Sequence, residues 1–230
     1  MGATAGGPNS ARYGDDVSVQ SAQLYLCTDA RITQGDFAEF IGAAYAGGVD
    51  VIQLRDKSIH ASLELEYLEV LRAAAERNRK SWAVNDRGDL AALTHAPVFH
   101  VGQDDIPVAA ARSLVGTDVS IGLSTHTPDQ LEAALNSPAL DYFCVGPVWA
   151  TPTKPGRAAV GRELVALAAE RARALGSARP WFAIGGIDLA NMNEIVDAGA
   201  RRIVVVRAIT EASDPSDAAQ RIRAALPPLV

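Results

Sequence analysis

The sequence predicts a single (β/α)8 barrel, the TIM-barrel class, from three observations. Short apolar runs alternate with longer amphipathic stretches from residue 23 to the end of the chain. The runs number eight: QLYLCT (23–28), VDVIQL (49–54), SWAVN (81–85), VFHVG (98–102), VSIGLS (119–124), YFCVG (142–146), WFAIGG (181–186) and RIVVVR (202–207). Polar and charged residues collect directly after these runs, the edge at which parallel α/β sheets bind ligands.

Each run is apolar without strict alternation, the pattern of a strand buried on both faces of a parallel sheet. The first, holding Cys27, opens the sheet. The second leads into Gln53-Leu54-Arg55-Asp56-Lys57, and SLELEYLEVLRAAAERNRK (62–80), rich in Leu, Glu, Ala and Arg, reads as the helix behind it. The third ends in Asn85-Asp86-Arg87, the fourth in Gly102-Gln103-Asp104-Asp105 and the fifth in Ser124-Thr125-His126. The sixth breaks into the loop VGPVWATPTKPG (145–156), followed by the helical GRELVALAAERARAL (161–175). The seventh ends in Gly185-Gly186 and the eighth in Val206-Arg207. Eight strand-helix units in about 205 residues suit a compact closed barrel, while an open doubly wound sheet accommodates the same elements. Nothing in the composition divides the chain: residues 1–20 read as a flexible N-terminal tail and residues 21–230 as one catalytic barrel.

Composition excludes several function classes. With 230 residues and 48% hydrophobic content the chain can bury a sizeable core. A formal net charge of -6 supplies no broad basic face, so no nucleic-acid partner is expected and any phosphate site must be local. No stretch approaches the roughly 20 apolar residues of a membrane helix, and MGATAGGPNSARYGDD lacks the cationic start and apolar centre of a signal peptide. The two cysteines, Cys27 and Cys144, sit inside apolar runs and read as core thiols in a reducing, cytoplasmic compartment.

The run ends would bring together three cations (Arg55, Lys57, Lys154), three hydroxyls (Ser124, Thr151, Thr153) and carboxylates from adjacent units (Asp86, Asp105). Two hard carboxylate ligands suit Mg²⁺, which completes its octahedron with water and phosphate oxygens, so the set implies a diphosphate and its metal. Plainer alternatives exist for each: helix N-caps for Asp86 and Asp105, a solvated pair for Arg55 and Lys57, and a stiff connector for the Pro-rich loop. His100 and His126 read as hydrogen-bonded orienters or as catalysts, and no His/Cys cluster has zinc spacing. Gly185-Gly186 and Val206-Arg207 occupy the seventh and eighth units, where many barrels hold a monophosphate on backbone N–H groups. Two phosphorylated small molecules would then lie face to face.

The motifs QLRDK, ND followed about twenty positions later by GQDD, GLSTH, GPVWATPTK, AIGGI and VVVRAI stand in the order and near-spacing of the thiamine-phosphate synthase family, which this chain resembles from residue 23 to 210. The resemblance implies a (β/α)8 barrel that joins 4-amino-2-methyl-5-hydroxymethylpyrimidine diphosphate to 4-methyl-5-(2-hydroxyethyl)thiazole phosphate. The products would be thiamine phosphate and diphosphate. It places Gln53, Arg55, Lys57, Asn85, Ser124 and Lys154 on the pyrimidine diphosphate, with Arg55, Lys57, Ser124 and Lys154 as the catalytic set. Asp86 and Asp105 would hold Mg²⁺, and Thr151, Thr153, Gly186, Val206 and Arg207 would surround the thiazole phosphate.

The chain departs from the family twice. Asp104-Asp105 stands where Glu-Asp is common, so Asp105 takes the metal by its spacing from Asp86, with Asp104 in reserve; Arg207 stands where Ser is common. The thiazole nitrogen attacks with a lone pair that needs no deprotonation, so no general base is required. A diphosphate leaving an aminopyrimidine methylene favours a carbocation, which the site must shelter from water. The expected partners are two phosphorylated substrates, with a homo-oligomer left open. The rival readings are a thiazole tautomerase of the same barrel group, using a histidine such as His126, and a non-catalytic sensor of thiamine phosphates.

Overall fold

Eight parallel strands close into a barrel in simple sequence order in the computed structural model, which describes residues 18–151 and 158–229. The strands are β1 (Leu24–Thr28), β2 (Val51–Leu54), β3 (Ser81–Asn85), β4 (Val98–Val101), β5 (Ser120–Thr125), β6 (Tyr142–Val145), β7 (Trp181–Ile184) and β8 (Ile203–Val205). Between them run α1 (Phe37–Ala46), α2 (Ala61–Asn78), α3 (Gly88–Thr94), α4 (Val108–Val115), α5 (Pro128–Asn136), α6 (Gly161–Ala174) and α7 (Met192–Asp197). After β8 the chain forms α8 (Arg207–Thr210) and α9 (Pro215–Ala225). Pairing of Leu24 with Ile203 and of Tyr25 with Val204 closes the sheet and excludes the open doubly wound alternative.

Successive side chains on a strand point to opposite faces, and the closed sheet turns that rule into two cores. Leu24 and Leu26 of β1, Ile52 and Leu54 of β2 and Phe143 of β6 face outward into the layer covered by the helices. Tyr25 and Cys27, Val51, Tyr142 and Cys144, Phe182 and Val204 face inward and fill the barrel. Both cysteines are free and buried there. The interior core begins at Val19, within the segment read as the tail; residues 1–17 lie outside the described residues.

Local signals set several helix ends. Thr127 caps α5 by accepting the Gln130 backbone N–H, with Pro128 in the first turn, and Asp214 caps α9 through the N–H groups of Ser216 and Asp217. The helix read over 62–80 ends at Asn78, because Arg79 takes a left-handed φ of 54° and terminates it. Among the described residues no helix is long and apolar enough to cross a membrane.

Arg207 requires a correction. It does not end the eighth strand, which stops at Val205, but opens α8 as an exposed residue. The run RIVVVR reads as one strand because its apolar residues continue without a break from Ile203 to Val206, yet Val206, at φ -128° and ψ -89°, already turns the chain out of the sheet.

Candidate functional site

The C-terminal ends of the strands surround a cavity of about 660 Å³ lined by Gln53, Arg55, Lys57, Asn85, Asp86, His100, Asp105 and Ser124, among others. Gln53, Asn85 and Ser124 are side chains of the strands themselves and are buried, so the barrel fixes them rigidly. Arg55 and Lys57 follow β2 directly and reach over the mouth; Lys57 is largely exposed except where it meets Asp86. Of the predicted pyrimidine-side residues only Lys154 is not placed, since it lies with Thr153 in 152–157, outside the described residues.

Asp86 and Asp105 come together from the ends of β3 and β4. Neither caps a helix: Arg87 is the N-cap of α3 and Pro107 that of α4. Asp86 adopts a left-handed φ of 58°, which for a residue of this kind marks a tightly determined turn, and its carboxylate lies 2.7 Å from Lys57 Nζ. Burial pushes the Asp86 carboxyl up, but the Lys57 ammonium and hydrogen bonds from Asp105 and Asn85 outweigh that and hold it below the ordinary carboxylate range. Burial and then the neighbouring Asp86 push Asp105 the other way, only partly offset by the Gly102 N–H that Asp105 accepts at 2.7 Å. Two carboxyls whose proton affinities split in this way repel each other across one site, even with the Lys57 ammonium against Asp86.

A second cavity of about 230 Å³ opens beside the first and is lined by Thr151, Gly185, Gly186, Val206 and Arg207. His126, Ile184, Val204 and Val206 line both cavities, so occupants of the two would touch. Gly185 and Gly186 make the turn after β7 with φ of 108° and 70°, conformations open to glycine and strained for other residues. His126 contacts the Gly146 carbonyl through Nδ1. Among the described residues no ion pair joins Arg207 to Glu211, although both line this cavity.

Sequence reasoning missed the polar interior beneath the first cavity. Tyr25 and Tyr142 read there as apolar strand residues, yet their hydroxyls meet in the barrel centre and connect Gln53 to His100, which in turn contacts Ser124. His100 thus has an orienter's geometry. The one signal available was Gly122, a glycine inside an apolar run: a Cβ there would lie 2.0 Å from the Tyr142 ring, so only glycine leaves room for that ring.

Comparison with known proteins completes the description. The sequence model of the family described as thiamine monophosphate synthase matches residues 24–209. A thiamine-phosphate synthase of Arthrobacter sp. (strain FB24) is 59% identical over 223 residues, 89% of this chain and 94% of the relative. Its counterpart from Streptomyces avermitilis is 58% identical over 199 residues, 86% of this chain and 91% of the relative. The solved thiamine phosphate pyrophosphorylase from Pyrococcus furiosus superposes with a TM-score of 0.77 at 26% identity, covering 90% of this chain and 96% of that one.

Proposed function

The chain belongs to the thiamine monophosphate synthase family and is a transferase of the thiamine-phosphate synthase type, and from that premise we propose that it joins 4-amino-2-methyl-5-hydroxymethylpyrimidine diphosphate to 4-methyl-5-(2-hydroxyethyl)thiazole phosphate with release of diphosphate. The observation that carries this reading is the pair of cavities with a shared wall, one lined by Arg55, Lys57, Asp86 and Asp105 and the other by a glycine turn. A cationic and acidic pocket suits a metal diphosphate, and a smaller pocket lined by backbone suits a monophosphate.

The Asp86–Asp105 pair fits Mg²⁺ on its own chemistry. Both ligands are hard oxygens, their mutual repulsion would be relieved by a divalent cation, and a Lys57 ammonium already lies against Asp86. Among the described residues no group of three or more His, Cys, Asp or Glu side chains forms a metal cage, which suits an ion that takes few protein ligands and draws the rest from substrate phosphate and water. Bound there, Mg²⁺ supplies positive charge where the diphosphate departs.

The remaining work falls to the protein's own side chains. Arg55, Lys57 and Lys154 hold the diphosphate and take up charge that develops on its oxygens, stabilising departure more than binding. Gln53, Asn85 and Ser124, fixed on three strands, hold the pyrimidine ring over the barrel. Thr151 and Thr153, with the Gly186, Val206 and Arg207 region, orient the thiazole phosphate so that its ring nitrogen faces the methylene carbon that the diphosphate leaves. Close packing of the two substrates excludes water from the pyrimidinyl cation. The test is to mix both substrates with Mg²⁺ and measure thiamine phosphate and diphosphate together. Their absence in a folded preparation would overturn the assignment.

A further inference from the structure

Beneath the larger cavity a line of buried hydrogen bonds crosses the barrel from β3 to β5. Gln53 Nε2 donates to Asn85 Oδ1 at 2.6 Å, and the Tyr25 hydroxyl donates to Gln53 Oε1 at 2.8 Å. The Tyr25 and Tyr142 hydroxyls are 3.3 Å apart, Tyr142 lies 3.0 Å from His100 Nδ1, and His100 Nε2 lies 3.0 Å from Ser124 Oγ. All six side chains are buried. Such a line can run in two opposite senses, and its ends decide which one is adopted.

Asn85 Oδ1 accepts from Gln53, so the Asn85 NH₂ is left to face away from Gln53. Gln53 must then present its NH₂ to Asn85 and its carbonyl to Tyr25, the sense in which the Cys27 thiol, 3.6 Å from Oε1, also points. The single Tyr25 proton is spent on that carbonyl, so Tyr142 donates to Tyr25, and with its own proton spent Tyr142 accepts from His100. A neutral imidazole has one donor and one acceptor nitrogen. With the proton on Nδ1, Nε2 accepts and the Ser124 hydroxyl donates to it.

We infer that Tyr25, Tyr142 and His100 are positioning residues that fix Ser124 as a hydrogen-bond acceptor toward the cavity, while Asn85 faces it as a donor. The inference rests on the proposed function for its ligand. An acceptor at one end and a donor at the other match the amino N–H and ring nitrogen of an aminopyrimidine. Ser124, its proton committed to His100, contacts the ring substituent rather than a diphosphate oxygen, which would require a donor.

The test is the tautomer of His100. Imidazole-¹⁵N labelling of the four histidines, with His100 assigned through a His100→Gln spectrum, reads which ring nitrogen carries the proton at about pH 8, above the ordinary histidine range. The expected result is a proton on Nδ1. In Tyr25→Phe, two side chains away, Tyr142 loses its acceptor, turns its hydroxyl to His100, and the proton moves to Nε2. The same variant should raise KM for the pyrimidine diphosphate about 5- to 10-fold, the scale of one neutral hydrogen bond, with KM for the thiazole phosphate unchanged. In a Ser124→Ala background the effect of Tyr25→Phe on the pyrimidine KM should shrink to the part that passes through Gln53, to which the Tyr25 hydroxyl also donates.

An Nε2–H or doubly protonated ring in the wild type overturns the inference, as does an unmoved proton in Tyr25→Phe. A moved proton with unchanged pyrimidine KM overturns the positioning role. If the wild type makes no thiamine phosphate, the proposed function fails, and the tautomer still decides the sense of the hydrogen-bond line.

Discussion

At the N-terminal end of the barrel Asp50, the residue before β2, accepts backbone N–H bonds from Gln23 at 2.8 Å and Leu24 at 3.1 Å and pairs with Lys80 at 2.7 Å. Asp141, the residue before β6, accepts from Ile121 at 2.7 Å and pairs with Arg112. At the C-terminal end Asp86 and Asp105 face each other with the Lys57 ammonium in contact with Asp86, one carboxyl held low and the other pushed high. The lower carboxylates tie off strand starts and are matched by donors within the chain. The upper pair repels itself, with one carboxyl pushed high even though Lys57 lies against its neighbour and Arg55 lines the same cavity. A folded chain tolerates that repulsion where something else supplies positive charge, so the difference separates scaffold from site by chemistry alone.

Exchanging the roles breaks the comparison most sharply. Asp86→Ala should lower kcat by about 10²- to 10³-fold, the scale for loss of a preorganised charge-stabilising group, and lower the melting temperature less than the exchange at Asp50 does. Asp50→Ala should do the reverse, costing about 3 kcal/mol of stability because Lys80 and two strand-start N–H groups lose their partner, and a denaturant titration would register it. If Asp86→Ala melts early with activity intact, the upper pair is scaffold and the contrast collapses.

A smaller effect sharpens the contrast at the metal. Mg²⁺ at tenfold its dissociation constant should stabilise the wild type by about 1.4 kcal/mol, measured as a shift in melting near neutral pH, and should do nothing for Asp105→Asn. The pH dependence has a definite sign. A carboxyl raised in the folded state, such as Asp105, contributes stability below its ordinary pKa that is lost as pH rises through the raised value. The lowered Asp86 contributes stability above its ordinary pKa that is lost as pH falls. Metal-free Asp105→Asn should therefore lose less stability than the wild type as pH rises from the acid side toward neutrality. A Mg²⁺ shift unchanged by the substitution would remove Asp105 from the site.

How much of this was legible depends on which physical signal each part writes into the sequence. Buried parallel strands write unbroken apolar runs, and a parallel barrel puts its ligands at one edge, so the eight strands and the positions of Arg55, Asn85, Asp86 and Ser124 could be read directly. The opposition of Asp86 and Asp105 required only that adjacent units end side by side. The Tyr25–Tyr142–His100 line left only Gly122 as a trace, because a tyrosine inside an apolar run has the same signature whether its hydroxyl is buried on a partner or reaches solvent. The end of β8 failed for a related reason: Val206 is as apolar as the strand before it, and only its dihedral angles show that the sheet has stopped.

The smallest expected effect belongs to Arg207, where this chain departs from the Ser common in the family it resembles. As the strand-ending residue of the sequence reading it could have turned inward onto a phosphate. On the first turn of α8 it is exposed, and it lines the smaller cavity together with Glu211. An exposed guanidinium pays the entropy of a long side chain and is screened by water and salt, so a contact with the thiazole phosphate from this position is worth about 0.2–1 kcal/mol. Arg207→Ser should accordingly raise KM for the thiazole phosphate by roughly 1.4- to 5-fold, converted from that range, with kcat and the pyrimidine KM unchanged. Raising the salt concentration should shrink the difference between the two proteins. A larger loss that persists at high salt would mean that the guanidinium folds inward when substrate binds, and would place Arg207 with Arg55 and Lys57 rather than with the solvated rim.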